Sequence, residues 1–216
     1  MKLYGYFRSS ATYRVRIALN LKGLPWETMP VDLRAPANAQ HAPQFRALNP
    51  QGLIPVLSDG AHTLTQSLAI IEYLEETHPL PPLLPRAAAE RAQVRSLSLA
   101  VACDIHPLNN LRVLNYLRSP LGHEQAAINA WYAHWIATGF AALEQEARRL
   151  SGDGRHLYGA AVTLADVCLV PQMYNAHRFS CDVEPYPTLR AICAHLEGLP
   201  AFARAAPQAQ PDAPPA

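Results

Sequence analysis

The spacing of apolar positions changes once along this chain, near residue 80, from short alternating runs to helical periods. Residues 1–7 alternate apolar and aromatic positions as a short strand does, and Ser9 and Ser10 then offer capping oxygens to a helix over 11–22. Val15, Ala18 and Leu19 form the stripe of that helix, and Gly23 with Pro25 stops it. Residues 26–33 read as a second strand, 36–41 as a loop and 45–49 as a short helical piece ending in Asn-Pro. The run from Gln51 to Leu57 is strand-like but holds Pro55, which cannot donate to a ladder and therefore marks a strand start or a special turn. Ser58-Asp59-Gly60 signals a hairpin into a strand at 62–65, and Ser67 opens a helix with Leu68, Ile71 and Leu74 on one face.

Beyond Pro85 no credible strand remains. Val94, Leu97, Val101 and Ile105 recur at helical spacing, and Pro107 interrupts before the pattern resumes through Leu114 and Leu117, which predicts one long kinked helix. Further stripes are Ile128, Trp131, Trp135 and Leu143, then 164–172, then Leu189, Ile192, Cys193 and Leu196. The fold class is α+β: a thioredoxin-like βαβ-ββα domain over 1–79, an all-α bundle over 86–206, and a proline-rich tail over 207–216 expected to be disordered. Thr163-Leu164-Ala165-Asp166 satisfies the capping-box pattern and is assigned to folding.

Composition removes several function classes. The 18 basic and 17 acidic side chains leave a formal charge of +1 with no run of either sign, so no nucleic-acid partner is expected. Every apolar stretch is too short to span a bilayer, and the first residues lack the apolar core of a signal peptide, so a cytoplasmic protein without a membrane partner is expected. The four cysteines, Cys103, Cys168, Cys181 and Cys193, form neither a C-x-x-C pair nor a disulfide framework and read as reduced packing residues. The nine histidines show no metal-ligand spacing, and no metal is expected.

Chemistry concentrates at the strand-to-helix turn Arg8-Ser9-Ser10-Ala11. A helix N-terminus presents unpaired N–H groups and the positive end of a dipole, and both stabilise a thiolate placed there. A serine hydroxyl donating to the sulfur adds to this, which makes Ser9 the candidate donor, although Ser9 and Ser10 could serve only as helix caps. Asp104, His106, Asn109, Asn110 and Arg112 gather polar groups around the Pro107 interruption.

The segment Tyr6-Phe7-Arg8-Ser9-Ser10-Ala11-Thr12-Tyr13-Arg14-Val15-Arg16-Ile17-Ala18-Leu19 resembles the signature of zeta-class glutathione transferases, the maleylacetoacetate and maleylpyruvate isomerases. The resemblance continues through Leu48-Asn49-Pro50-Gln51-Gly52-Leu53-Ile54-Pro55-Val56-Leu57, through Gln66-Ser67-Leu68-Ala69-Ile70-Ile71-Glu72-Tyr73-Leu74-Glu75, through Cys103-Asp104-Ile105-His106-Pro107-Leu108-Asn109-Asn110 and to Gln210-Pro211-Asp212. One departure is Ala11, where many members carry cysteine, so no protein thiol acts at this turn.

The resemblance implies glutathione as cofactor, with Arg8, Ser9 and Ser10 as the catalytic group. It implies a cis Pro55, and glutathione contacts from Ser9, Ser10, Ala11, Ile54, Pro55, Gln66 and Ser67. Gln51 and the Gln40–His41 loop are weaker candidates for the glycyl end, and Asp104, His106 and Asn110 are candidates from the helical part. Arg8, Arg112 and Arg178 are implied to hold the carboxylates of a maleyl keto-acid, for which the arginine fork is suited. The implied reaction is cis–trans isomerisation to the fumaryl product in aromatic catabolism, in a homodimer. A general conjugating or peroxide-reducing transferase is the alternative, and it would want an apolar pocket instead of several arginines.

Overall fold

The computed structural model describes residues 1–34 and 36–214, and these form two compact units. The first is Met1–Pro82 together with the segment from Leu199 onward; the second is Leu83–Gly198.

The first unit is built on a four-stranded sheet in the order β2-β1-β3-β4, with β1 Lys2–Gly5, β2 Glu27–Pro30, β3 Val56–Asp59 and β4 His62–Thr65. β1 and β2 run parallel with Lys2 opposite Glu27, and a parallel pair needs a crossover, which helix α1, Ser10–Leu21, supplies. β3 is antiparallel to both β1 and β4, so the remaining connection is a tight hairpin at Gly60, whose φ of 56° suits glycine. Helices α2, Pro43–Leu48, and α3, Ser67–Thr77, complete the thioredoxin-like pattern.

α1 is buried on nearly all sides, from Thr12 to Leu19, because α3 and a late helix α9, Pro200–Ala205, also pack on it. At Gly5 a Cβ would collide with the Thr12 side chain, so the close approach of β1 to the start of α1 requires glycine. Lys22, at the C-cap of α1, donates to Glu75 at 2.8 Å and to the carbonyls of His78 and Pro81 at 2.7 and 3.1 Å, tying residues 78–81 to this unit. All three ammonium donors are thereby used, as burial of a lysine requires.

In the second unit, α4, Ala88–Leu99, passes into a π-helical turn over Ala100–Ile105, and α5, Leu111–Arg118, starts afresh after residue 110. The expected kinked helix is therefore two helices. The His106 N–H reaches back five residues to the Val101 carbonyl at 2.9 Å, Pro107 has no N–H to continue the ladder, and Asn110 caps α5 by accepting from the Arg112 N–H at 3.1 Å. Then follow α6, Gln125–Leu150, α7, Leu164–Arg178, and α8, Pro187–Glu197.

The buried line of α6 runs Ile128, Tyr132, Ile136, Phe140, Leu143, while Trp131 and Trp135 sit half-buried at its shoulder in edge contact at 5.7 Å. α7 is buried on almost every face and opens on the Thr163–Asp166 capping box. Leu83 belongs to this unit, its carbonyl accepting from the Leu164 N–H at 2.8 Å.

The segment expected as a disordered tail is folded over its described part. Pro207–Ala209 forms a 3-10 turn, Pro207 and Gln210 are buried, and the Gln210 amide donates to the carbonyls of Arg204 and Ala206, both at 2.9 Å. Proline content misleads here because a fixed φ suits the first position of a packed 3-10 turn as well as a solvated chain. Residues 215 and 216 lie outside the described residues. Of the cysteines, Cys168, Cys181 and Cys193 are buried as packing residues, and Cys103 is exposed instead. Among the described residues no helix is long and apolar enough to cross a membrane.

Candidate active site

In the first unit the turn after β1 sets the chemistry. Ser9 is the N-cap of α1, with extended backbone, and its Oγ accepts from the Thr12 N–H at 3.2 Å. An accepting hydroxyl still carries a proton it can donate, and the N–H groups at a helix start have no intrahelical acceptor. Ser10 is buried at the first helical position and Ala11 is half-buried beside it.

Arg8 lies over the rings of Tyr6 and Phe7 at 5.7 and 5.1 Å, and its Nη2 donates to the Tyr6 hydroxyl at 3.1 Å. Its Nε is buried without a hydrogen-bond partner among the described residues, a donor suited to an anion. Arg34 reaches the same Tyr6 ring at 5.9 Å; its hydrogen bonds hold the Asp32 carboxyl down at about 2.

A second cluster gathers at the start of α3. Gln66, its N-cap, has a φ of 69°, uncommon for a residue with a Cβ, and its amide donates to Gln51 Oε1 at 3.0 Å. Ser67 follows, buried, and accepts at Oγ from Arg14 Nη1 at 3.3 Å. Arg14 is 1% exposed, so a guanidinium charge lies directly behind the α3 N-terminus, where unpaired N–H groups already favour a carboxylate. The Ile54–Pro55 bond is cis, and β3 begins only at Val56. The N–H and carbonyl of Ile54 therefore make no backbone hydrogen bond among the described residues, and they can pair with an extended peptide. Gln40 is buried beside Gly52, where an added Cβ would stand 3.0 Å from the Gln40 carbonyl and 3.1 Å from His41 Nδ1.

The second unit holds the other candidates. Asp104 is exposed at the end of the π-helical turn, His106 is half-buried just after it, and Asn110 is engaged as the cap of α5, with Arg112 exposed on the first turn. Arg178, near the end of α7, lies 4.9 Å over the Phe179 ring, which stacks on Tyr132 at 3.8 Å. Asn109 donates to the Tyr132 carbonyl at 3.1 Å, so the 106–110 turn and the end of α7 both meet α6 at Tyr132. Burial pushes the Tyr132 phenol well up, so it stays a neutral donor.

Sequence reasoning missed Arg14, Arg16 and Arg34, because an arginine on a helix or loop reads as a solvated charge. It also missed a bond from Phe7 to Asp212, which spans the first unit's two chain segments. No group of His, Cys, Asp and Glu able to hold a metal is found among the described residues.

Comparison with known proteins follows the same division of the chain. Residues 3–82 match the family model for the glutathione S-transferase N-terminal domain. A relative from Vibrio cholerae, described as a probable maleylacetoacetate isomerase, is 56% identical over 211 residues, covering 98% of this chain and 97% of the relative. A solved holo structure of a maleyl pyruvate isomerase, described as a bacterial glutathione S-transferase of the zeta class, is 50% identical with a TM-score of 0.96, covering 99% of this chain and all of that one. A maleylacetoacetate isomerase from Methylobacterium extorquens AM1, solved with bound malonate and glutathione, is 44% identical with a TM-score of 0.94 and covers 100% of both chains.

Proposed function

This chain belongs to the zeta class of glutathione transferases, and on that premise we propose that it is a glutathione-dependent isomerase converting maleylacetoacetate or maleylpyruvate to the fumaryl product. The observation that carries the reading is the Ser9 turn, a capping hydroxyl with its proton available, at the start of a helix and next to an arginine with an unpartnered buried Nε.

The residues present fit glutathione. The unclaimed N–H and carbonyl of Ile54 suit its cysteinyl peptide unit, and Ser67 with Gln66 at the α3 N-terminus, backed by Arg14, suits its γ-glutamyl carboxylate. Gln51 and the Gln40–His41 loop are assigned to the glycyl end, and Asp104, His106 and Asn110 to further contacts. Bound glutathione supplies a thiolate able to add reversibly to an activated cis double bond.

The protein's part is electrostatic and positional. Ser9 donates its hydroxyl proton toward the sulfur, and the first-turn N–H groups of Ser10 and Ala11 with the α1 dipole favour the ionised thiol. Arg8 neutralises the negative charge that would build on the substrate oxygens as the cis double bond takes up the thiolate's electron pair and becomes a rotatable single bond; the pair returns to sulfur as the trans double bond forms. Arg112 and Arg178 take the substrate carboxylates by charge-assisted bonds. The arginine fork suits a carboxylate better than an apolar electrophile. The same reading makes the protein a cytoplasmic homodimer; light scattering of the purified chain checks the dimer.

The test is a spectrophotometric assay of both maleyl substrates with and without glutathione. Isomerisation is expected only with glutathione, and Arg8→Ala is expected to lower kcat/KM by roughly 10²-fold. Equal rates without glutathione would sink the reading.

A further inference from the structure

The turn carrying Arg8 and Ser9 is held by residues from the far end of the chain. β1 ends at Gly5 and α1 begins at Ser10, so the peptide groups of Phe7 belong to neither sheet nor helix. Both are nevertheless bonded: the Phe7 N–H donates to Asp212 Oδ2 at 2.9 Å, and the Phe7 carbonyl accepts from Arg16 Nη2 at 2.9 Å. Arg16 Nε donates in turn to the Ala205 carbonyl at 2.9 Å, and its guanidinium lies 5.5 Å from the Tyr13 ring centroid. Arg16 is 3% exposed. Burial lowers its pKa to about 10, opposed by the charge of Asp212, so it remains a cation at neutral pH.

The segment from Ala205 to Asp212 is itself tied down by hydrogen bonds and burial. Gln210 closes it onto the carbonyls of Arg204 and Ala206, and Pro207 is buried beneath it. The turn is also bonded through its own backbone, from the Ser9 N–H to the Tyr6 carbonyl at 2.9 Å and from the Tyr13 N–H to the Ser9 carbonyl at 2.8 Å.

We propose that Asp212 and Arg16 are positioning residues that clamp the Phe7 peptide from both sides and so fix Arg8 and Ser9 for thiol activation. This rests on Ser9 serving the glutathione sulfur. The physical reason is leverage: Ser9 is two residues from the clamped peptide, and a displacement of about 1 Å at a reacting group can cost about 10²-fold in rate. A charged acceptor is preferred because its hydrogen bond is shorter and about twice as strong as a neutral one.

The test compares Asp212→Ala with Asp212→Asn, whose amide oxygen can still accept from Phe7. The readouts are melting temperature, calorimetric binding of glutathione, and titration of the bound thiol by its ultraviolet thiolate absorbance. D212A is expected to melt within about 4 °C of wild type yet to bind glutathione about tenfold more weakly, with thiol ionisation shifted to higher pH. D212N, which keeps an acceptor without the charge, is expected to recover part of both. A D212A protein with wild-type binding and thiol titration overturns the proposal, as does a D212N loss equal to that of D212A. Should D212A not fold, Asp212→Glu decides, since it keeps the charge and moves the acceptor by one methylene: an unchanged thiol titration overturns the proposal and a shifted one supports it. None of these readouts needs a maleyl substrate, so a wild type that binds and ionises glutathione without isomerising refutes the reaction and leaves this test standing. A wild type that does neither refutes both.

Discussion

One oxygen of Ser9 carries an observed task and a proposed one, and the two can be separated. As an N-cap it accepts from Thr12, and loss of such a cap costs about 1 kcal/mol. As the proposed donor to sulfur it matters only while the thiol must be ionised by the protein. Ser9→Ala is therefore expected to lower kcat/KM by about 10- to 100-fold at neutral pH, with the deficit narrowing as pH rises and hydroxide ionises the thiol unaided. A pH-rate profile of both proteins measures this, and a deficit constant from neutral to alkaline pH would leave Ser9 only its capping role. Ser9 was legible in the sequence because a serine before a helical run has few other readings. Arg14 and Arg16 were not, since their acceptors, Ser67 Oγ and the Ala205 carbonyl, lie 53 and 189 residues away along the chain. Periodicity carries no information about partners at that distance.

Among the elements, α8 shows how a helix start can be satisfied from outside its own sequence. Tyr186 precedes it and makes no side-chain cap; instead Glu144 of α6 accepts from the N–H groups of Thr188 and Leu189 at 3.1 and 3.0 Å, and Arg148 donates to the same carboxylate at 3.0 Å. Burial pushes the Glu144 carboxyl up, but the hydrogen bonds from Thr188, Leu189 and Arg148 together outweigh it and hold the group below its ordinary value. A carboxyl depressed in the folded state contributes stability that is complete above its unfolded value and is lost as pH falls through the folded one. Glu144→Gln keeps an acceptor and removes the charge, so at pH 7 it is expected to cost about 1 kcal/mol, or about 2–4 °C in melting temperature. The gap should close as pH falls below the ordinary glutamate value of 4.5, and melting curves taken into acid check it. A gap that widens in acid would reverse the assigned sign. The start of α7 was legible from its capping box, with Asp166 accepting from the Thr163 N–H and also from the Leu157 N–H at 2.7 Å each. The break between α4 and α5 was half legible. Pro107 marks the interruption, but the restart depends on Asn110 choosing the backbone of α5 over continuing the helix.

At the scale of the molecule, the sequence order and the folded units do not coincide, and this is where composition misled most. A chain read from left to right assigns residues 200–214 to the helical part and a tail, whereas α9 packs on α1 and Asp212 reaches Phe7 in the first unit. The reason is that α1 is too buried to be covered by its own neighbours: Phe202 and Ala205 are fully buried in the unit that α1 centres. Removing that cover exposes apolar surface worth about 2–3 kcal/mol for Phe202 alone and leaves the Arg16 guanidinium without its Ala205 acceptor, a loss of about 2 kcal/mol more. Such sums consume much of the margin of a small domain, which is about 5–15 kcal/mol in total. A fragment of residues 1–82 is thus expected to keep helical far-ultraviolet circular dichroism while losing near-ultraviolet signal and binding a hydrophobic dye. A peptide of residues 199–214 added in trans should restore the near-ultraviolet signal from Tyr6, Tyr13 and Trp26, and the same peptide with Phe202→Ala should need a concentration at least about tenfold higher, since the lost burial exceeds 1.4 kcal/mol. A fragment already native in near-ultraviolet dichroism without the peptide would show that the thioredoxin-like half closes on its own and that its C-terminal cover is dispensable for folding.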